Sequence, residues 1–372
     1  MSTTPMTATH YASNTSLYSA KAWGAIALVV AIFAALPALN LIFPAGHPLH
    51  VSAFTIALIG KFICYAMAAL ALDLVWGYTG ILSLGHGLFF ALGGYAHGMY
   101  LMRAAKPSPE MVPDFMTFLS WKTYPWFWSF TEHFWYAALL VVAVPGLLAF
   151  LFGYFAFRSR IKGVYFSIIT QALTFAAMLL FFRNETGFGG NNGFTDFKKI
   201  LGYDITSTNT RAVLYWVSLA TLLAALILSR AITQSKLGRV LTAIRDSEGR
   251  LRFLGYEPLG FKLFIWTFSA MLCAVAGALY VPQVGIINPG EMSTENSIEM
   301  VIWVATGGRG TLVGPIIGAG AINGLKTWFT SVFPEFWLYA LGLIFVLVTL
   351  FLPQGLVGLA RQISRRIKGE KA

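Results

Sequence analysis

Eight apolar stretches set the terms for this chain: 22–43, 51–76, 81–102, 134–157, 163–182, 212–232, 263–281 and 336–352. Each has roughly 18 to 25 residues, the length at which a helix crosses a hydrocarbon core of ~30 Å. A ninth stretch, 297–332, is too long for one crossing and is interrupted by Gly307-Gly308-Arg309-Gly310, a poor helix interior. It divides into 297–306, extended N-terminally from near Ile286, and 311–332. The sequence therefore predicts an all-α polytopic membrane protein with about ten transmembrane helices, some broken or re-entrant. Only 11% of its residues are charged, against about 25% in soluble domains, which excludes a water-soluble globular chain and a disordered one. The net charge of +11 does not imply nucleic acid, because membrane proteins collect Lys and Arg on their cytoplasmic side.

Charge then orients the spans. With both termini cytoplasmic, 17 of the 26 basic residues fall inside and 8, Lys326 among them, fall outside, leaving Lys61 within the membrane; ten of the fifteen acids fall outside. The expected organisation is a cytoplasmic tail at 1–21, a transmembrane domain at 22–356 with a cytoplasmic loop at 233–262, and a basic cytoplasmic tail at 357–372. The first twenty residues lack a basic n-region, so the first helix is read as retained rather than as a cleaved signal. Trp121, Tyr124, Trp126, Trp128, Trp135 and Tyr136 predict a segment lying along the outer interface. Cys64 and Cys273 stand in apolar runs without cysteine or histidine partners and read as small core residues.

No GxxxxGK[ST] loop, HExxH, GxSxG or pair of carboxylates within the spans is present, so no catalysis, ATP hydrolysis, cofactor or metal is expected of this chain. Three segments stand out instead. The first runs from Gly77 to Gly94, with Gly80, Ser83, Gly85, His86 and Gly87 crowding a place where a membrane helix should be continuous. Such a break survives only inside protein or beside a water-lined cavity, so these five residues are candidates for a translocation pathway, with close helix packing as the alternative. Asp73 and Lys61 lie on the preceding span; a structural ion pair between them is the simplest account of two charges at that depth. The second segment carries Gly310, Gly314 and Gly318, spaced by four and so read as one packing face of a helix. The third is the cytoplasmic loop, where Val240, Leu241, Ile244, Leu251 and Leu254 form an apolar stripe among charges, an amphipathic helix ending near Gly255 that needs a docking partner.

Taken together, WGYTGILSLGHGLFFALGGYAHGMYLMR (76–103), GFGGNNGFTDFK (187–198), LGRVLTAIRDSEGRLRFLGYE (237–257) and GGRGTLVGPIIGA (307–319) resemble the permease family of ABC importers for branched-chain amino acids and urea, over nearly all of 61–356. The resemblance implies an inner-membrane transport subunit that is not itself an enzyme. Its partners would be a sister permease subunit, two ATPase subunits that use the ATP and Mg, an extracytoplasmic substrate-binding protein, and membrane lipid. The loop residues Arg239, Ala243, Arg245, Asp246 and Gly255 match the position of the ATPase-coupling loop, although the Glu-Ala-Ala triplet of ABC importers is absent. The 187–198 and 96–103 stretches resemble the urea branch, so urea is the expected solute, with a branched-chain amino acid or short amide as the alternative. A secondary transporter of a small neutral solute is the more distant reading, since Asp73 alone is a poor coupling carboxylate.

Overall fold

The computed structural model describes residues 17–367 except 45, 107, 109, 110 and 353. Of the two expected tails, residues 1–16 and 368–372 lie outside the described residues. Thirteen α-helices occur among the described residues. The first five are α1 (Ala20–Ile42), α2 (Ala53–Thr79), α3 (His86–Ala104), the short α4 (Asp114–Phe118) and α5 (Phe134–Arg158). Then come α6 (Val164–Phe182), α7 (Thr208–Gln234), α8 (Lys236–Phe253) and α9 (Pro258–Val284). The last four are α10 (Thr294–Gly307), α11 (Val313–Val332), α12 (Trp337–Phe351) and α13 (Gly355–Ile367).

Six of these, α1, α2, α5, α6, α7 and α9, are long and apolar enough to cross a membrane. The other four expected crossings coincide with α3, α10, α11 and α12, where α10 has only 14 residues and α12 only 15. Local chemistry explains the boundaries. Serine side chains cap the amide ends of α1, α2, α7, α8 and α10 through Ser19, Ser52, Ser207, Ser235 and Ser293. Left-handed glycines close α2 at Gly80 and α9 at Gly285, a conformation a side chain would strain.

The core lies where α2, α3 and α9 cross, around Met67, Leu70, Phe90, Trp266 and the free, buried Cys64 and Cys273. Small residues allow the approach: a side chain on Gly93 would strike the Ala274 carbonyl and one on Gly277 the Phe90 carbonyl. The helix α1 sits at the edge and is tied to α7 by hydrogen bonds from Tyr215 Oη to Phe33 O (3.1 Å) and Trp216 Nε1 to Ala34 O (2.9 Å). A cleft of about 610 Å³ between α1, α2, α7 and α11 is lined by apolar side chains such as Val29, Phe62, Leu222 and Ile316. With no polar group to replace hydration, it offers nothing to a polar solute.

The aromatic segment departs from expectation. Trp126 and Trp135 are exposed, as an interfacial belt requires, but Trp128 is buried and donates from Nε1 to Gly187 O at 2.9 Å. Arg103 draws the segment inward: it bonds Trp128 O (2.9 Å), pairs with Glu132 (2.7 Å) and stacks over Tyr124 (4.2 Å). A guanidinium at the end of α3 has to be satisfied, and the loop folds over it.

Candidate functional site

The two glycine-rich segments meet. Asp73, fully buried on α2, accepts hydrogen bonds from the Gly310 amide at 2.6 Å and the Leu312 amide at 3.1 Å. It thus caps the turn before α11 and is not paired with Lys61, which lies twelve residues away on the same helix, about 18 Å along its axis. Gly310 precedes α11 rather than lying on it; its φ of 75° shapes the turn, and a Cβ on the facing Gly77 would stand 2.6 Å from its nitrogen. Gly314 and Gly318 do lie on α11, against the Gly307 and Trp303 carbonyls of α10. Arg309 covers the joint from outside, its guanidinium 5.2 Å from the Trp76 ring.

The loop helix α8 is fastened to this joint and to two other elements. Arg245 donates to Gly77 O at 2.9 Å and pairs with Asp246 at 3.0 Å. Ser247 breaks the helix, with φ −164° and ψ 90°. Directly after the break, Glu248 gathers three cations: Arg252 at 2.8 Å, Lys162 from the α5–α6 turn at 3.0 Å, and Lys262 from α9 at 3.2 Å. Burial alone would raise the Glu248 carboxyl, but hydrogen bonds from Arg252, Lys162 and Lys262 outweigh it and hold the pKa at about 2. Leu241, Ile244 and Leu251 of the expected stripe are buried, and Val240 and Ala243 pack partly against the bundle. Leu254 does not follow them: it is 75% exposed, and Phe253 beside it is 94% exposed. Arg239 and Gly255 are exposed as well.

Of the candidate pathway residues, Gly80 lies at the α8 end, 3.1 Å from the Arg245 side chain when given a Cβ. His86 is buried and satisfied, with Nδ1 3.0 Å from Ser83 Oγ and Nε2 2.8 Å from Ser269 Oγ. Ser269 in turn bonds the Ala71 carbonyl, so the imidazole links α9, α2 and the start of α3. Gly85 packs on Thr170 of α6, and Gly87 packs on Ser297 of α10 and the Glu291 carbonyl. Ser83, Gly85, His86 and Gly87 thus lie among α6, α9 and α10 inside the bundle, while Gly80 faces α8.

A second polar region lies deeper, and the sequence reading misses it. The link between α9 and α10 folds back into the bundle instead of leaving it, so Glu291 receives the Tyr280 hydroxyl at 2.9 Å. Glu299, buried on α10, binds Lys326 of α11 through both oxygens, at 2.9 and 2.8 Å. Lys326, counted outside from charge alone, is therefore half of a pair within the bundle, and its partner Glu299 is a carboxylate within a span. Lys61 stands 5.5 Å from the Tyr65 ring centre, and the same ring lies 4.9 Å from Trp303 and 5.5 Å from Tyr280. Glu299 escapes notice because its nearest charge on α10, Glu295 four residues earlier, has the same sign, and its partner Lys326 is 27 residues away on another helix. Above this region Phe194, from the GFGGNNGF stretch, pairs with Ile287 through two backbone bonds of 2.8 and 3.0 Å.

Comparison with known proteins places these features in context. The family model described as the permease component of the branched-chain amino acid transport system matches residues 54–352. The chain is 25% identical over 358 residues to the high-affinity branched-chain amino acid transport system permease protein LivM of Salmonella typhimurium, covering 89% of this chain and 77% of that protein. The Escherichia coli protein of the same name matches to the same extent. BraD of Pseudomonas aeruginosa, also a high-affinity branched-chain amino acid permease protein, is 23% identical over 79% of this chain and 91% of its own length. No solved structure matches the chain.

Proposed function

Because the chain belongs to the branched-chain amino acid transport permease family, we propose that it forms the translocation pathway of an ATP-driven importer for a small polar solute, a branched-chain amino acid. It is an inner-membrane protein, and six helices among the described residues are able to span the bilayer. On this reading there are ten crossings and both termini are cytoplasmic, with α8 on the cytoplasmic face. A sister permease subunit, two ATPase subunits that use ATP and Mg, and an extracytoplasmic binding protein complete the machine. Urea, favoured by the 187–198 and 96–103 stretches, has the weaker support, since the curated relatives are named for branched-chain amino acids.

One observation carries the docking of an ATPase: Phe253 and Leu254 are 94% and 75% exposed on a loop outside the spans. Burying two such side chains against a partner contributes about 1.5–3 kcal/mol each. Behind them α8 is braced. A push on the loop reaches α2 through Arg245 and Gly77, and reaches α9 and the α5–α6 turn through Glu248. Ala243 faces the bundle in part, so a large residue there disturbs this brace before it touches a partner.

The test is Phe253→Ala combined with Leu254→Ala in the assembled importer. Membrane abundance and melting temperature should stay unchanged, while ATPase association falls about tenfold or more and uptake falls with it. Unchanged association would remove the docking reading. Reporter fusions after residue 372 and within 198–204 should read inside and outside respectively, and an outside signal at the C-terminus would overturn the topology.

A further inference from the structure

Four ionisable side chains from four elements converge inside the bundle: Lys61 of α2, Glu291 of the α9–α10 link, Glu299 of α10 and Lys326 of α11. Charges at such depth are costly and persist where they work or are paired. Two of them are paired, since Lys326 and Glu299 neutralise each other. The other two are not. Among the described residues Lys61 makes no ion pair and no hydrogen bond, and only the face of Tyr65 lies beneath its ammonium. Glu291 uses one oxygen on Tyr280 and makes no ion pair. Lys61 and Glu291 are both half-buried, whereas the neighbouring Trp303 indole, 2% exposed, holds its Nε1 proton without a partner.

A cation and an anion that close no ion pair, set in an aromatic wall of Tyr65, Tyr280 and Trp303 with Phe90 beside it, complement a molecule bearing one charge of each sign and an apolar body. We infer that Lys61 and Glu291 are the two poles of a transit site for a zwitterionic amino acid, Lys61 receiving the carboxylate and Glu291 the ammonium. The inference rests on the importer reading and deepens it by naming the groups that meet the solute. A neutral solute such as urea gains nothing from two opposed full charges, so the site separates the two substrate classes. The distance from the α8 joint, about 18 Å along α2, puts it near the middle of a ~30 Å core. A solute released there has left the outer loops and not yet reached the joint.

The test uses the complete importer in cells, with ATP-dependent uptake of leucine and of urea as readouts and membrane abundance as control. Lys61→Met and Glu291→Gln should each lower leucine uptake about tenfold or more, the size of effect expected from losing one charge-assisted contact. The double variant separates a transit site from a structural ion pair. If the two side chains merely neutralise each other, removing both restores uptake; if they hold the solute's poles, the double variant is at least as poor as either single one. Leucine uptake within twofold of the parent in the single variants, or recovery in the double variant, would overturn the site. Should the neutral variants lose abundance, Lys61→Arg and Glu291→Asp carry the test: the apparent KM for leucine should rise about threefold or more, and an unchanged KM overturns the proposal. A parent that moves urea but no leucine with ATP overturns this site, and one that moves neither sinks the importer reading itself, so the two failures are told apart.

Discussion

The α8 joint and the mid-bundle cluster both place charge among apolar helices, yet they treat it in opposite ways. At the joint every charge is committed. Asp73 holds two backbone amides, Arg245 holds a carbonyl, and Glu248 holds three cations. In the cluster one pair is closed, and one charge of each sign is left without an ion pair. Saturated charge fixes geometry, because removing either partner strands the other. Unsaturated charge at depth serves something that is not part of the chain. On the proposed function, the contrast divides the molecule into a place that would transmit force and a place that would meet a solute.

The comparison breaks first at Gly318. A leucine there would enter the Trp303 carbonyl and part α10 from α11, so Gly318→Leu should abolish membrane abundance, measured by quantitative blotting; normal abundance would show the contact to be loose. Next comes Asp73→Ala, which leaves the Gly310 and Leu312 amides without an acceptor. At about 1–3 kcal/mol for each stranded donor, the purified protein should melt several degrees lower, and an unchanged melting temperature would mean that Asp73 is no cap. Glu248→Gln sharpens the comparison at a smaller scale. The brace loosens without a cavity, so abundance should hold while ligand-stimulated ATP hydrolysis drops about threefold to tenfold; full stimulation would show that force bypasses Glu248. The smallest effect is one of pH. The Glu248 carboxyl is held at about 2, below its ordinary 4.5, so its contribution is fully present above about pH 4.5 and is lost as pH falls toward about 2. Melting temperature should be level for this group from about pH 5 to 7 and fall below that range, and the fall should be shallower in Glu248→Gln.

Much of this was legible in one dimension. Apolar runs marked the spans because lipid imposes length and hydropathy on each helix separately. The amphipathic loop announced α8, since its buried side repeats as Leu241, Ile244 and Leu251. What stayed hidden depends on which helices touch. Asp73 offers no hint that its partners are amides 237 and 239 residues further on, and Lys61 shares a helix with it, which made pairing the natural guess. Gly310 fits the four-residue spacing of Gly314 and Gly318, yet belongs to a turn whose φ only three-dimensional folding sets. Leu254 fits the stripe in sequence but falls beyond the end of α8 at Phe253, where the stripe no longer has a helix to repeat on.

That Asp73 binds backbone rather than side chains has a consequence for genetics. A carboxylate paired with an arginine can be lost and then rescued by a second change in that arginine, and the two positions drift together across relatives. Amides cannot be exchanged. A change at Leu312 leaves its amide where it was, still without the Asp73 acceptor, and Gly310 is confined by its positive φ. Damage at position 73 should therefore yield few or no second-site suppressors in the turn it caps. The joint would vary little among homologues while leaving no covariation to betray which residues it joins.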